Sequence, residues 1–410
     1  MSFKKHQLIE VVSIFFASLF LLKPTCIPYI MGSTVDKIYT ICMLCVCAIV
    51  IILYIYRRKL SNIIFLIAIY YLYQIIVTAC LGGDLRSIVM TSVQFSSLCL
   101  LAEICITKNK IQYINIMTFI MEIYIYINFI TIIVFPEGMY RTISTNNQYN
   151  WFLGYKNQLI NFMLPALMFS IINYYYTSKK KNMLKNKVRM IALFICCIAT
   201  AVIQWSAATL VIIFIMCMYV LLRKALSTKI FNFKTYLLTN IILTFSIVVL
   251  RIQNLFSFII VDILNKDITL TGRVYIWDKV MYYISQNFVL GYGVEDYSYR
   301  LLKMQFGNIY WLSNYAALHA HCRFLEVFYR GGIILLAIYV LILILTSKKL
   351  VSNKDTIFSM ILSVSLFAYL TGMMTEWYDY SPLFFVMIVM AYYSDSFSDE
   401  NLKLKKGKSS

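Results

Sequence analysis

Charge is what this 410-residue chain has least of. Asp, Glu, Lys and Arg make up 13% of it and hydrophobic residues 61%. That balance excludes a water-soluble multidomain protein and points to a polytopic membrane protein. Acid is scarcer still, with 18 Asp+Glu against 37 Lys+Arg. The basic surplus stands in short clusters between apolar runs, the pattern left by membrane insertion, so no nucleic-acid partner is expected. No linker rich in Pro, Gly or Ser, no low-complexity tract and no internal repeat divides the chain, which reads as one membrane domain over residues 1–410. Cysteines such as Cys42, Cys45, Cys47, Cys99, Cys105, Cys196, Cys197 and Cys217 lie inside apolar runs, which excludes a disulfide framework. No small-residue cleavage site follows the apolar run from Ile9 to Leu22 before Lys23-Pro24, so that run is expected to stay as the first membrane helix.

What is present is a series of long apolar runs. About 20 apolar residues cross the hydrocarbon core as a helix, and continuous runs of that length exclude a barrel. Helices are expected near residues 7–22, 38–56, 60–81, 87–106, 112–135, 157–177, 190–204, 207–222, 235–252, 324–345, 355–372 and 381–393. The fold class is therefore all-α with about 12 transmembrane helices and both termini on one side. Connecting segments on one side carry 24 Lys+Arg, including Lys179 to Arg189 and Lys348 to Lys354; the other side carries 13. The first side is then cytoplasmic. The Gln204-Trp205-Ser206 hairpin is decisive for this reading, since one long helix there would invert everything downstream.

Eight of the 13 outward basic residues fall in one stretch, Arg251 to Arg330. It contains a large extracytoplasmic loop, residues 253–323, between helices 9 and 10. Basic residues are normally sparse there, and the excess calls for a function. Within it, Thr271 is a plausible N-cap for a short helix with Val274, Trp277, Met281 and Ile284 on one face, lying in the headgroup plane. Arg273 then sits in the first turn, where a guanidinium can hold a phosphate in a fork. Further on, His319, Arg323, Glu326 and Arg330 recur at helical spacing and form a polar stripe that lines a site or serves as an ion-pair ladder. His319 and His321 could ligate a metal, but no carboxylate or thiolate cluster nearby completes a ligand set. Arg141, on an earlier outward loop, stands against the topology rule. Lys156 and Asn157 lie where the chain re-enters the membrane, as interfacial anchors or as part of a site. The last outward loop, Glu376-Trp377-Tyr378-Asp379-Tyr380, offers carboxylates and aromatic faces suited to sugars or to an ordinary aromatic belt.

Three pieces of this chain resemble motifs of the O-antigen polymerases and ligases of bacterial surface polysaccharide synthesis. They are the Arg141 to Asn157 segment, Gly272-Arg273 with Trp277 and Gly291-Tyr292-Gly293, and the His321 segment. In the ligases that histidine precedes an Asn, Ser or Gln, then nine residues and a glycine. Here Gly332 holds the spacing, Cys322 occupies the amide or hydroxyl position, and Leu335 replaces a small residue. The resemblance implies a Wzy-like membrane glycosyltransferase of the bacterial cytoplasmic (inner) membrane. It would join polyprenyl-pyrophosphate-linked oligosaccharides at the outer leaflet, with no metal and no cofactor. His321 would be the general base, Arg273 and Arg141 would meet the pyrophosphate, and Lys156, Asn157, Trp277, Arg323, Glu326 and Arg330 would bind substrate. Implied partners are the lipid-linked oligosaccharide, membrane lipid, and possible flippase and chain-length regulator proteins. A ligase delivering finished polymer to another acceptor is the nearest alternative. A flippase for the same lipid-linked sugars is the rival of another class, but the paired broken helices expected of a transporter are not evident.

Overall fold

The computed structural model describes the chain except for residues 1–4, 58, 143–147, 178–182, 224, 226–227, 264–266, 271, 306–317, 377–381 and 398–410. Lys266, Thr271 and the loop Trp377 to Tyr380 therefore lie outside the described residues. The rest is mostly helical. In order come α1 (Lys5–Leu21), α2 (Ile27–Ile30), α3 (Gly32–Tyr56), α4 (Asn62–Cys80) and α5 (Leu85–Val134). After a small sheet follow α6 (Ile160–Thr177), α7 (Met183–Ile203), α8 (Ala207–Leu222) and α9 (Phe233–Val248). A segment with short 3-10 and π turns leads into α10 (Arg273–Gln286) and α11 (Tyr297–Lys303), and the chain closes with α12 (Arg323–Ser352), α13 (Ile357–Gly372) and α14 (Pro382–Tyr392). Among the described residues, five helices are long and apolar enough to cross a membrane: α3, α4, α5, α7 and α12. Shorter apolar helices stand beside them, α8, α9, α13 and α14 among them.

The expected helices at 87–106 and 112–135 are joined into α5, whose 50 residues are interrupted at Asn109 (φ −150°, ψ 79°). The two arms double back on each other. Gln94 Nε2 donates to the carbonyl of Leu21 (2.8 Å) and Tyr124 Oη donates to that of Leu22 (2.8 Å), so residues 30 apart reach the same level of α1. In a straight helix they would stand roughly 45 Å apart. The ninth helix ends at Val248, short of its expected limit, because Arg251 takes a left-handed conformation (φ 54°).

The departure from an all-α chain is a three-stranded antiparallel sheet: β1 (Tyr140–Arg141), β2 (Tyr149–Trp151) and β3 (Gly154–Tyr155), in that order. Its register pairs Arg141 with Tyr149 and Trp151 with Gly154. It is sewn to the helices by Trp151 Nε1 donating to Phe135 O (2.8 Å) and Leu153 N donating to Asn128 Oδ1 (2.9 Å). The core lies along α5, α6, α12, α13 and α14. Every residue of α14 from Pro382 to Ala391 is buried, which is why this helix is apolar all round rather than on one stripe.

A glycine joint sets the geometry of the segment between α9 and α12. Within α12, Gly331 and Gly332 leave helical conformation, and Gly332 (φ 60°, ψ −162°) occupies a region open essentially to glycine alone. The break frees two carbonyls. Tyr292 N donates to Tyr329 O (2.9 Å) and Gly293 N to Arg330 O (2.8 Å), while Ile333 N donates to Phe288 O (2.9 Å). A Cβ on Gly332 would stand 2.0 Å from Val289 O, and one on Gly291 would stand 2.6 Å from the Gly331 and Gly332 nitrogens. The Gly291-Tyr292-Gly293 motif is thus the complement of the broken helix, and Leu335 fills the space over Gly331. On its other side the loop is tied to α4, with Val294 N donating to Thr78 Oγ1 (2.9 Å).

Candidate functional site

The helix α12 begins at Arg323, with Cys322 as its N-cap, so His321 lies in the preceding loop in a left-handed conformation (φ 47°). That start turns His321 to a different neighbour from His319. His321 Nδ1 stands 3.7 Å from Glu376 Oε2, an ion-pair distance longer than a hydrogen bond. The other Glu376 oxygen pairs with Arg273 Nη2 and accepts from Asn157 Nδ2 (3.1 Å). Asn157 Oδ1 in turn accepts from Ser206 Oγ (3.2 Å), and Ser206 shares a hydrogen bond with Thr209 (2.8 Å). The ends of several helices therefore converge on one carboxylate: the approach to α6, the α7–α8 turn, the start of α10, the start of α12 and the turn after α13. Arg323 N donates to Met373 O (2.9 Å), which joins the histidine loop to the turn bearing Glu376.

Burial disfavours the charged form of Glu376, but the facing His321, the Arg273 guanidinium and the Asn157 amide outweigh it and hold the carboxyl below its usual range. The site also keeps donors in reserve. Arg273 Nε and His321 Nδ1 are buried atoms without a hydrogen-bond partner among the described residues. A buried donor left unpaired is unfavourable and is met by a ligand or water. Cys322 is no nucleophile, since it is fully buried and burial pushes its thiol up to about 11.

Backbone strain gathers at the same place. Among the described residues, the non-glycine residues with left-handed backbone are Trp205, Arg251, Leu270 and His321. Leu270 O accepts from Arg273 Nη1 (3.2 Å), Arg251 Nη2 donates to Val274 O (3.3 Å) and pairs with Asp278, and Trp205 precedes Ser206. Strained conformations of this kind persist where surrounding structure over-determines them, commonly at functional sites.

The remaining expected residues sort themselves differently. The helix α10 starts at Arg273 with Gly272, not Thr271, as its N-cap. Its buried face is Ile276, Trp277, Val280 and Ile284, which corrects the expected set of Val274, Trp277, Met281 and Ile284. That face packs inward against the start of α12. Trp277 is fully buried against Val248 and Cys322 and so backs the histidine loop from behind. The polar stripe is divided. Arg323 is buried with Nη2 donating to Tyr70 Oη (3.2 Å). Glu326 accepts from Arg330 Nε (2.8 Å), Arg300 Nη2 (3.2 Å) and the Ala320 backbone N–H (2.8 Å). His319 lies within electrostatic reach of this second carboxylate. Arg141 is exposed in β1 and stacks over Tyr149 (4.6 Å), which does not bring it to Glu376. Lys156 is half-buried beside Asn157.

Sequence reasoning reached Glu376 only as one of several loop carboxylates, and it passed over Ser206, Thr209 and Arg300. Glu376 had a signal: an acidic residue just past an apolar run, in a chain poor in acid. Among the described residues, no group of three or more His, Cys, Asp or Glu is arranged to hold a metal ion.

Fold and site together define a polytopic helical membrane protein with an arginine, a histidine and a carboxylate assembled where helix ends meet. Residues 189–340 match the family described as O-antigen ligase. That span runs from α7 through His321 and the glycine joint, and it supports an O-antigen polymerase- or ligase-like membrane function. No curated protein matches the chain.

Proposed function

We propose that this protein is a polymerase of polysaccharide repeat units, of O-antigen or capsule type. In this reading it joins polyprenyl-pyrophosphate-linked oligosaccharides at the outer leaflet of the bacterial cytoplasmic membrane. The chain crosses about 12 times, with α5 supplying two crossings, both termini are cytoplasmic, and residues 253–323 are outside. The observation that carries the reading is the shared carboxylate: Glu376 holds Arg273 on one oxygen and faces His321 with the other. A glycosyl transfer from a pyrophosphate needs positive charge where the leaving group develops and a base for the attacking hydroxyl.

In this mechanism Glu376 orients the imidazole through Nδ1, leaving Nε2 to take the proton of an acceptor hydroxyl as that oxygen attacks the glycosidic carbon. Arg273, whose buried Nε has no partner among the described residues, stabilises the departing pyrophosphate as the glycosidic C–O bond breaks. Asn157, fixed between Ser206 and Glu376, helps hold in place the carboxylate oxygen that Arg273 also meets. Lys156 and the exposed Arg141 attract the charged headgroup, while Arg323, Glu326, Arg330 and Trp277 hold the loop rather than the substrate. Neither a metal nor a cofactor takes part, and the donor is a lipid-linked glycan rather than a nucleotide sugar.

The second reading is a ligase, which also accords with the description of the family matched at 189–340. The lipid-linked glycan left in a deletion strain separates the readings. Single repeat units at the outer face are expected. Full-length lipid-linked polymer would instead make the protein a ligase, and units trapped at the inner face would make it a flippase.

A further inference from the structure

Trp205 sits where a glycine would be at ease. It follows α7 with φ 48°, its N–H donating to Val202 O (3.1 Å), and the next N–H, of Ser206, donating to Ala201 O (3.2 Å). That pair of bonds is the helix-terminating turn whose left-handed position usually takes glycine. Here it carries the largest side chain available, and the indole is 73% exposed, so packing within the protein does not account for it. Its neighbour Ser206 is buried and begins the chain of hydrogen bonds through Asn157 to Glu376. Two of the other strained non-glycine residues among the described ones meet this same site, His321 facing Glu376 and Leu270 accepting from Arg273.

We propose that Trp205 is a sugar subsite: a platform at the rim of the Glu376 site on which a pyranose ring of the substrate glycan lays its apolar C–H face. The indole supplies flat apolar area at low conformational entropy. The left-handed backbone at residue 205 presents that ring at the tip of the α7–α8 turn, and the half-buried Gln204 beside it offers an amide to ring hydroxyls. This inference rests on the glycosyl-transfer reading for its ligand, while its geometry is independent of which residue is the base. An exposed tryptophan at a helix end could equally anchor the protein in lipid headgroups. The connection through Ser206 and Asn157 to Glu376 favours the sugar.

The test uses full-length protein in nanodiscs, with the lipid-linked oligosaccharide that accumulates in the deletion strain as substrate. The oligosaccharide released from it by mild acid serves as binding probe. Trp205→Ala should raise KM about tenfold while kcat stays within about twofold, and Trp205→Phe should recover most of the loss. Trp205→Gly should show the same KM defect with Tm unchanged or higher, because glycine suits the left-handed turn. Unchanged KM in both Trp205→Ala and Trp205→Gly overturns the proposal. So does Trp205 emission, taken as wild type minus Trp205→Phe, that is quenched by brominated lipid and indifferent to saturating oligosaccharide, for that marks a lipid anchor. If wild-type protein transfers nothing yet the free oligosaccharide still alters Trp205 emission, the sugar subsite stands and the transfer reading falls.

Discussion

Two of the buried carboxylates among the described residues, Glu326 and Glu376, each face arginine and lie near one of the paired histidines, and their surroundings differ in one respect that separates structure from chemistry. Around Glu326 both oxygens are taken, by Arg330, Arg300 and the Ala320 N–H. The network continues through Arg300 Nη1 to Glu295 (3.2 Å), where Lys303 (2.7 Å) and Tyr329 Oη (2.6 Å) also arrive. Arg300 lies over the Tyr329 ring at 3.8 Å and Lys303 over Tyr292 at 3.4 Å, so the cations are enclosed by aromatic faces. Around Glu376 the arrangement is open. The histidine stands off from Glu376 Oε2 at 3.7 Å, beyond hydrogen-bond length. Among the described residues each site leaves one buried guanidinium Nε without a partner, Arg273's here and Arg300's there, so the difference lies at the carboxylate. A carboxylate with both oxygens bonded fixes a loop; one that holds its histidine at a distance leaves the imidazole room to meet a substrate. The Glu326 network acts on the histidine loop by gripping Ala320, one residue before His321, and in that way the closed site holds the open one in place.

This contrast can be broken most severely at the joint both regions share. Gly332→Ala places a Cβ 2.0 Å from Val289 O at φ 60°, so the protein should fail to accumulate in membranes, as read by immunoblot. Normal levels would mean the helix break is not required. Next, Glu326→Ala takes an acceptor from the buried Arg300, the half-buried Arg330 and the Ala320 amide. It should destabilise the protein by about 3–5 kcal/mol, seen as a lower Tm in detergent. A Tm equal to wild type would show that the network is not structural.

His321→Ala should leave insertion and Tm intact and reduce turnover on the order of a hundredfold. In-membrane transfer assays with the accumulated lipid-linked substrate measure it. Full activity there would remove the general base from this loop. Glu376→Gln keeps the shape but loses the charge that orients the imidazole, and turnover should fall by about tenfold. The same variant tests pH. Because the Glu376 carboxyl is held below its usual range, the stability it confers is present above the unfolded carboxylate value and lost as pH falls through the depressed folded value. Tm of the wild type should decline on acidification, and Glu376→Gln should flatten that decline. A parallel decline in both would place the acid-sensitive group elsewhere. The smallest effect is expected at His319→Ala, less than about threefold in turnover, because a general base contributes only where it meets the substrate. A dead His319→Ala with an active His321→Ala would reverse the assignment of the two histidines.

The sequence by itself determined the helices. In lipid a segment must satisfy its own backbone hydrogen bonds, so long apolar runs announce helices locally, and charge clusters between them mark the turns. The pairing of His321 with Gly332 came from the resemblance to the O-antigen ligases, whose histidine-to-glycine spacing this chain keeps. The length of the segment from Arg251 to Arg330 and its basic residues were equally plain from the sequence. Tertiary structure alone decided which residues meet. Asn157 and Glu376 are 219 residues apart and Arg273 and Glu376 are 103 apart, and no periodicity connects them. The stripe of His319, Arg323, Glu326 and Arg330 was correct as a spacing. Whether those groups face a substrate or one another depended on Arg300, delivered by a separate short helix, and on Tyr70 from α4. The left-handed turns at Trp205 and His321 were invisible for a further reason. Tryptophan seldom takes that conformation, and histidine, though enriched there, takes it only in a small minority of cases, so local propensity did not announce either turn and packing imposed both.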